Sequence, residues 1–226
     1  MVMWRSWVKE RAVFLDRDGT VVHPRHYPSR PEELVLYDGL GAPLRRLQAA
    51  GFRIVLITNQ GGLAHGFFTS ADLDRMHAYL TDELAQLDVR VDAIYHCPHH
   101  PEGRIAELAI SCECRKPQPG MLLRAADDLD LDLARCWFIG DILDDIEAGK
   151  RAGCRTILVD IGTESLPTAQ LRTPDYVART THHSLEIVAA VEQLGLSAEL
   201  TYRPDRWAHE LTAASAALAY EQGALQ

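Results

Sequence analysis

Short, wholly apolar runs alternate along the chain with stretches in which apolar residues recur every three or four positions. The runs are Ala12-Val13-Phe14-Leu15, Ile54-Val55-Leu56-Ile57, Ala93-Ile94-Tyr95, Trp137-Phe138-Ile139 and Thr156-Ile157-Leu158-Val159. Runs of that length, without polar alternation, suit strands buried on both faces of a parallel sheet. Helical periodicity lies between them, around Leu44 to Ala50, Ala71 to Leu87, Met121 to Leu129 and Asp145 to Ala152. Thr69 and Asp72 have the spacing of a capping box opening the second helix, and Gly120 precedes the third. The alternation predicts an α/β fold: a doubly wound, mostly parallel sheet with helices on both faces.

This pattern occupies residues 8–195 as one domain and ends by about Gly195. In residues 196–226, Trp207, Leu211, Ala214 and Leu218 follow helical spacing, so a C-terminal helical extension is expected, packed on its own domain or on a second copy. No repeat of fixed period interrupts the chain.

Composition narrows the functional classes. Hydrophobic residues make up 47% and charged residues 24% of the 226, which suits a water-soluble globular protein able to bury its own core. Lys plus Arg number 23 against 32 Asp plus Glu, a formal charge of −9, which disfavours nucleic acid and anionic membranes as partners. No stretch reaches the roughly 18 apolar residues of a membrane span, and the N-terminus lacks a leader-like apolar run, so a cytoplasmic protein is expected. A monomer or weak homodimer is the expected state.

Polar chemistry follows the apolar runs. Asp16-Arg17-Asp18-Gly19-Thr20 comes after the first, Thr58-Asn59-Gln60 after the second and Gly140-Asp141 after the fourth. In an open parallel sheet these positions converge at one mouth, beyond the carboxyl ends of the strands. Two aspartates two residues apart on a tight turn suit phosphoryl transfer to a carboxylate. Asp16 would attack phosphorus; Asp18 would protonate the leaving alkoxide and then deprotonate the hydrolytic water. Asp16, Asp18, Asp141 and a phosphate would repel one another without a hard divalent cation, and magnesium is expected. Asp16 and Asp141 would offer side-chain oxygens, and Asp18 its backbone carbonyl. Asp145 would either hold a metal-bound water or serve as a helix-start acid.

Three of the five cysteines lie close together. Cys97-x-His99, twelve further residues, then Cys112-x-Cys114 provide three thiolates and an imidazole, enough to close a structural zinc site. Zinc would pin the loop spanning residues 98–113 and so fix the approach of Arg115 and Lys116. His96 and His100 flank His99, and His100 is its main rival as ligand.

The set of motifs resembles the haloacid dehalogenase superfamily, in particular its small, cap-less phosphatases that act on bisphosphorylated heptose or on histidinol phosphate. The resemblance covers roughly residues 10–195 and rests on Phe14-Leu15-Asp16-Arg17-Asp18-Gly19-Thr20, Ile57-Thr58-Asn59-Gln60, Cys97-Pro98-His99, Cys112-Glu113-Cys114-Arg115-Lys116-Pro117 and Phe138-Ile139-Gly140-Asp141. It implies that Thr58 and Asn59 hold the transferring phosphoryl group, that Gln60 also binds the substrate, that Lys116 neutralises the phosphoryl group, and that Arg115 recognises the substrate. It also supports His99 as the zinc ligand. The long loop between the ligand pairs resembles the heptose enzymes and makes Arg25 and His26 candidate contacts to a second phosphate. The chain departs from the family at Ile142, Gly61 and His65, where a basic residue, serine and arginine are usual. The expected function is hydrolysis of a sugar bisphosphate, most simply D-glycero-D-manno-heptose 1,7-bisphosphate at the 7-position. Histidinol phosphate hydrolysis and a zinc-stabilised binding module without turnover are the alternatives.

Overall fold

The computed structural model describes residues 9–164 and 169–194. Six strands form one sheet: β1 (Arg11–Leu15), β2 (Phe52–Asn59), β3 (Ala93–Cys97), β4 (Trp137–Gly140), β5 (Arg155–Val159) and β6 (Tyr176–Ala178). Their order is β3-β2-β1-β4-β5-β6 and every neighbouring pair is parallel. The order reverses between β1 and β4, and that is where a doubly wound sheet opens its binding crevice.

The helices are α1 (Gly41–Ala49), the single-turn α2 (Gly62–His65), α3 (Ser70–Gln86), α4 (Gly120–Leu129), α5 (Leu143–Ala152) and α6 (Thr181–Leu194). Strand residues alternate between the two faces, so each apolar run supplies two cores. Val13, Leu15, Ile54, Leu56, Trp137 and Ile139 pack with Leu44, Leu47, Leu73, Met76, Leu80, Leu185 and Val188. Ala12, Phe14, Val55, Ile57 and Phe138 pack on the other face with Met121, Leu122, Ala125 and Ala148. Burying side chains of this size contributes about 1.5–3 kcal/mol each.

The capping box is present: the backbone N–H of Asp72 donates to Thr69 Oγ1, and the N–H of Thr69 donates to Asp72 Oδ2. One expectation needs correction. β3 is not buried on both faces; it is an edge strand whose residues from Ala93 to Tyr95 are half-buried and whose His96 is exposed. β6, α2 and α6 were not expected, and β6 with α6 carries the α/β layers on to Leu194. The helical extension expected at 196–226 lies outside the described residues.

At the far, amino-terminal rim of the sheet, ion pairs tie the strands together. Arg53 bridges Asp92 at 2.9 Å and Glu10, while Glu192 of α6 accepts from Arg11 at 2.6 Å and from Arg155. Among the described residues no helix is long and apolar enough to cross a membrane.

Candidate active site

β1 and β4 deliver Asp16 and Asp141 side by side, because their ends are paired: the N–H of Asp16 donates to the carbonyl of Ile139 at 2.9 Å. The turn after β1 closes when the N–H groups of Val21 and Val22 donate to the carbonyl of Arg17. Gly19 sits in this turn at φ +91, and a Cβ there would come within 2.1 Å of Asp141 Oδ2. Only glycine combines that backbone with that approach. Thr20 Oγ1 donates to Asp141 Oδ1 at 3.2 Å.

Lys116 is 2% exposed and joins the acids from the segment that follows the cysteine cluster. Its Nζ donates to Asp16 Oδ1 at 2.5 Å and to the carbonyl of Ile57 at 3.1 Å. It also lies 2.6 Å from Asp145 Oδ1, an ion pair outside hydrogen-bond geometry. Asn59 clamps the lysine backbone from both sides: Nδ2 donates to the carbonyl and Oδ1 accepts from the N–H, each at 3.1 Å. Asp145 Oδ2 in turn accepts from the N–H of Ile142 at 3.3 Å.

Asp16, Asp141 and Asp145 each offer a carboxylate oxygen to one small volume, within 4.8 Å of one another. Burial pushes all three carboxyls up, and repulsion from neighbouring acids adds to it, from Asp145 at both Asp16 and Asp141 and from Asp144 at Asp145; Asp141 is raised to about 7. Lys116 opposes the rise. Burial works against its own charge, but Asp145 and Asp16 beside it hold the proton on. Three acids against one lysine leave an excess of buried negative charge, which suits a hard divalent cation with oxygen ligands.

Asp18 faces a different partner. Its carboxylate is gripped by the fully buried guanidinium of Arg17, and Oδ2 also accepts from Gln60 Nε2 at 3.1 Å. Gln60 Nε2 donates to Thr58 Oγ1 as well, at 2.7 Å. Thr58 and Asn59 close β2 at its carboxyl end, the Asn59 amide engaged on the Lys116 backbone, and the buried Gln60 amide is engaged with Thr58 and Asp18.

The cysteine cluster closes at the edge strand. Cys97, Cys112 and Cys114 hold their sulfurs 3.2–3.5 Å apart, and His99 Nδ1 lies 3.4 Å from Cys114 Sγ and 3.7 Å from Cys97 Sγ. A tetrahedron with Zn–S bonds of ~2.3 Å has edges of ~3.8 Å, close to this spacing. His100 is turned elsewhere: its Nδ1 accepts from the N–H of Glu102, and its ring rests on His65. His96 packs on His77 instead. Arg115 donates from Nη1 to the carbonyl of His99 at 3.1 Å, so the segment carrying the cysteine cluster holds Arg115 directly.

Arg25 and His26 are exposed on the loop after β1. Neither touches the carboxylates. His26 packs on Tyr27, and Tyr27 joins His65 and Phe67, which links this loop to the segment after β2. That aromatic wall, the burial of Arg17 and the Lys116–Asp145 pair were not anticipated. The wall had one visible signal, the density of His, Tyr and Phe on both loops.

The chain is 41% identical over 160 residues to the D-glycero-beta-D-manno-heptose-1,7-bisphosphate 7-phosphatase of Escherichia coli (strain K12), covering 70% of this chain and 84% of the relative. The chain belongs to the haloacid dehalogenase superfamily. The HAD-hydrolase-like family model matches residues 113–183. Among solved structures of the superfamily, a putative HAD-like phosphatase from Mesorhizobium loti superposes with a TM-score of 0.72 at 32% identity, covering 90% of this chain and 93% of that one. The D,D-heptose 1,7-bisphosphate phosphatase of B. bronchiseptica, complexed with magnesium and phosphate, gives 0.67 at 34% identity, covering 80% and 98%.

Proposed function

We propose that the chain is a magnesium-dependent phosphatase that hydrolyses D-glycero-D-manno-heptose 1,7-bisphosphate at the 7-position through a phosphorylated Asp16. The observation that carries the reaction class is the buried group of Asp16, Asp141 and Asp145 around Lys116 at the crevice of the sheet. The sugar bisphosphate is supported by the 41% identity to a relative that bears that activity in its name.

Asp16, Asp141 and the backbone carbonyl of Asp18 would hold magnesium, with Asp145 beside them. When bound, the ion offsets the crowded carboxylate charge and screens the phosphoryl oxygens. Thr58 and Asn59 orient the phosphoryl group, and the Lys116 ammonium stabilises the charge on its equatorial oxygens. Asp16 Oδ attacks phosphorus in line with the leaving oxygen, and Asp18 supplies the proton that oxygen needs. Asp18 then takes a proton from the water that cleaves the aspartyl phosphate. Arg115, Arg25 and His26 would meet the remote part of the sugar bisphosphate.

Cys97, His99, Cys112 and Cys114 fit zinc, which would stabilise the 98–113 loop and take no part in the chemistry. A reducing, cytoplasmic setting suits such a thiolate site.

Phosphate release from a panel containing the heptose bisphosphate and histidinol phosphate, with purified protein and magnesium, tests the assignment. Preference for the heptose compound is expected, and preference for histidinol phosphate would reject it. Asp16→Asn should abolish turnover with the fold intact; undiminished activity in that variant would overturn the covalent mechanism.

A further inference from the structure

Arg17 occupies the position between the two aspartates of the first motif, where a sequence reading assigns it nothing. It is 0% exposed. A buried cation carries an effective penalty of several kcal/mol unless it is paired with good geometry, so its partner is informative. Among the described residues that partner is Asp18, the next residue in the chain: Nε donates to Oδ2 at 3.1 Å, and Nη2 donates to Oδ1 at 3.0 Å and to Oδ2 at 2.8 Å. Gln60 Nε2 adds a further bond to Oδ2.

The two carboxylate oxygens are therefore unequal. Oδ2 accepts from three N–H donors and Oδ1 from one. Oδ1, with the single donor, keeps more free lone-pair capacity to face a substrate. The remaining guanidinium nitrogen, Nη1, and Nε2 of His77 on α3 are buried without a partner among the described residues. His77 brings no second acid to compete for the cation. It is held neutral there: burial, reinforced by the charge of Arg17, pushes it down to about 3.

We infer that Arg17 and Gln60 are positioning residues that lock the Asp18 carboxylate in one orientation and leave Oδ1 the oxygen through which a proton is exchanged with the substrate. This rests on the phosphatase reading above. In the first half-reaction a bond forms from Asp16 to phosphorus, the bond from phosphorus to the leaving oxygen breaks, and the proton on Oδ1 passes to that oxygen. In the second, a water oxygen bonds to phosphorus, the Asp16–phosphorus bond breaks, and the water proton goes to Oδ1.

The test exploits the leaving group. An alkoxide needs its proton and a p-nitrophenolate does not, so damage to the proton donor falls on alkyl esters alone, whereas general damage falls on both. First-turnover release of the leaving group would be measured by rapid quench with a sugar phosphate and with p-nitrophenyl phosphate, for the unsubstituted protein, Arg17→Lys, Arg17→Met and Gln60→Leu. Arg17→Met and Gln60→Leu should lose roughly 10- to 100-fold more on the sugar phosphate than on the aryl ester, with KM little changed. Arg17→Lys should recover part of the difference. Gln60→Leu removes no buried charge, and circular dichroism would establish its fold if Arg17→Met fails to fold. Equal losses on both esters, or no loss on either, in folded Gln60→Leu would overturn the positioning role while leaving the phosphatase reading standing. Absence of turnover of both esters by the unsubstituted protein would overturn the two together.

Discussion

Lys116 Nζ stands between Asp16 and Asp145, 2.5 Å from an oxygen of the first and 2.6 Å from an oxygen of the second, with all three side chains shut off from solvent. The lysine arrives from the loop after the cysteine cluster, the acids from β1 and α5, so this contact joins three separate parts of the chain. Lys116→Met should lower kcat by roughly 100- to 1000-fold, since it removes the buried cation that pairs with Asp16. It should also cost about 3–5 kcal/mol in urea unfolding, because buried charge is left without its partner. Steady-state kinetics and denaturation curves check both; a variant as active as its parent would dismiss the lysine from the mechanism.

Gly19 lies under Asp141, at a distance that leaves no room for a methyl group. Gly19→Ala must therefore move either the turn carrying Asp16 and Asp18 or the Asp141 carboxylate. A displacement of this size is expected to reduce kcat by roughly 100-fold. Magnesium titration of the variant should show weakened dependence on the ion, and an unchanged titration would place Asp141 outside the metal site.

Cys112→Ser should release zinc, read by elemental analysis, and expose residues 98–113 to limited proteolysis. Arg115 is tied to the carbonyl of His99, so loosening the loop should raise KM several-fold for the doubly phosphorylated sugar. The melting temperature should fall by about 5–10 °C, corresponding to a few kcal/mol in a chain of this size. Retention of one equivalent of zinc would count against Cys112 as a ligand.

His77 gives a pH signature. Its imidazole is held neutral in the fold, pushed down to about 3 from 6.5 by burial and then by Arg17. The unfolded chain binds a proton between those values and the folded chain does not, so stability is full above about pH 6.5 and declines as pH falls towards 3. His77→Asn should remove this component. The difference between the two proteins should narrow by on the order of 1–2 kcal/mol between pH 6.5 and about pH 4.5, followed by urea unfolding. Parallel curves for the two proteins would show that His77 titrates freely.

The sequence made the sheet legible because each inner strand is a run with no polar interruption, and only burial on both faces tolerates that. β3 has the same apolar start, yet it lies at the edge; nothing within Ala93-Ile94-Tyr95 records which strands flank it. β6 has three residues, too few for a period to show, and α6 opens on Thr181-His182-His183, which hides its buried face. Among the site residues, Asp16, Asp18, Asp141 and the cysteine cluster were readable from spacing along the chain. Arg17 was not, because arginine is ordinarily exposed and its burial arises only from tertiary packing. The union of Asp145 with Lys116 was equally hidden, since the two are brought together solely by tertiary structure.

The ion pairs of Glu10, Arg53, Asp92 and Glu192 gather at the rim where the strands begin, opposite the crevice. Such a molecule has a natural end by which to be held. Immobilised on a support through that rim, it would keep its mouth turned to the bulk liquid, whereas attachment through the loop between Cys97 and Cys112 would blind it.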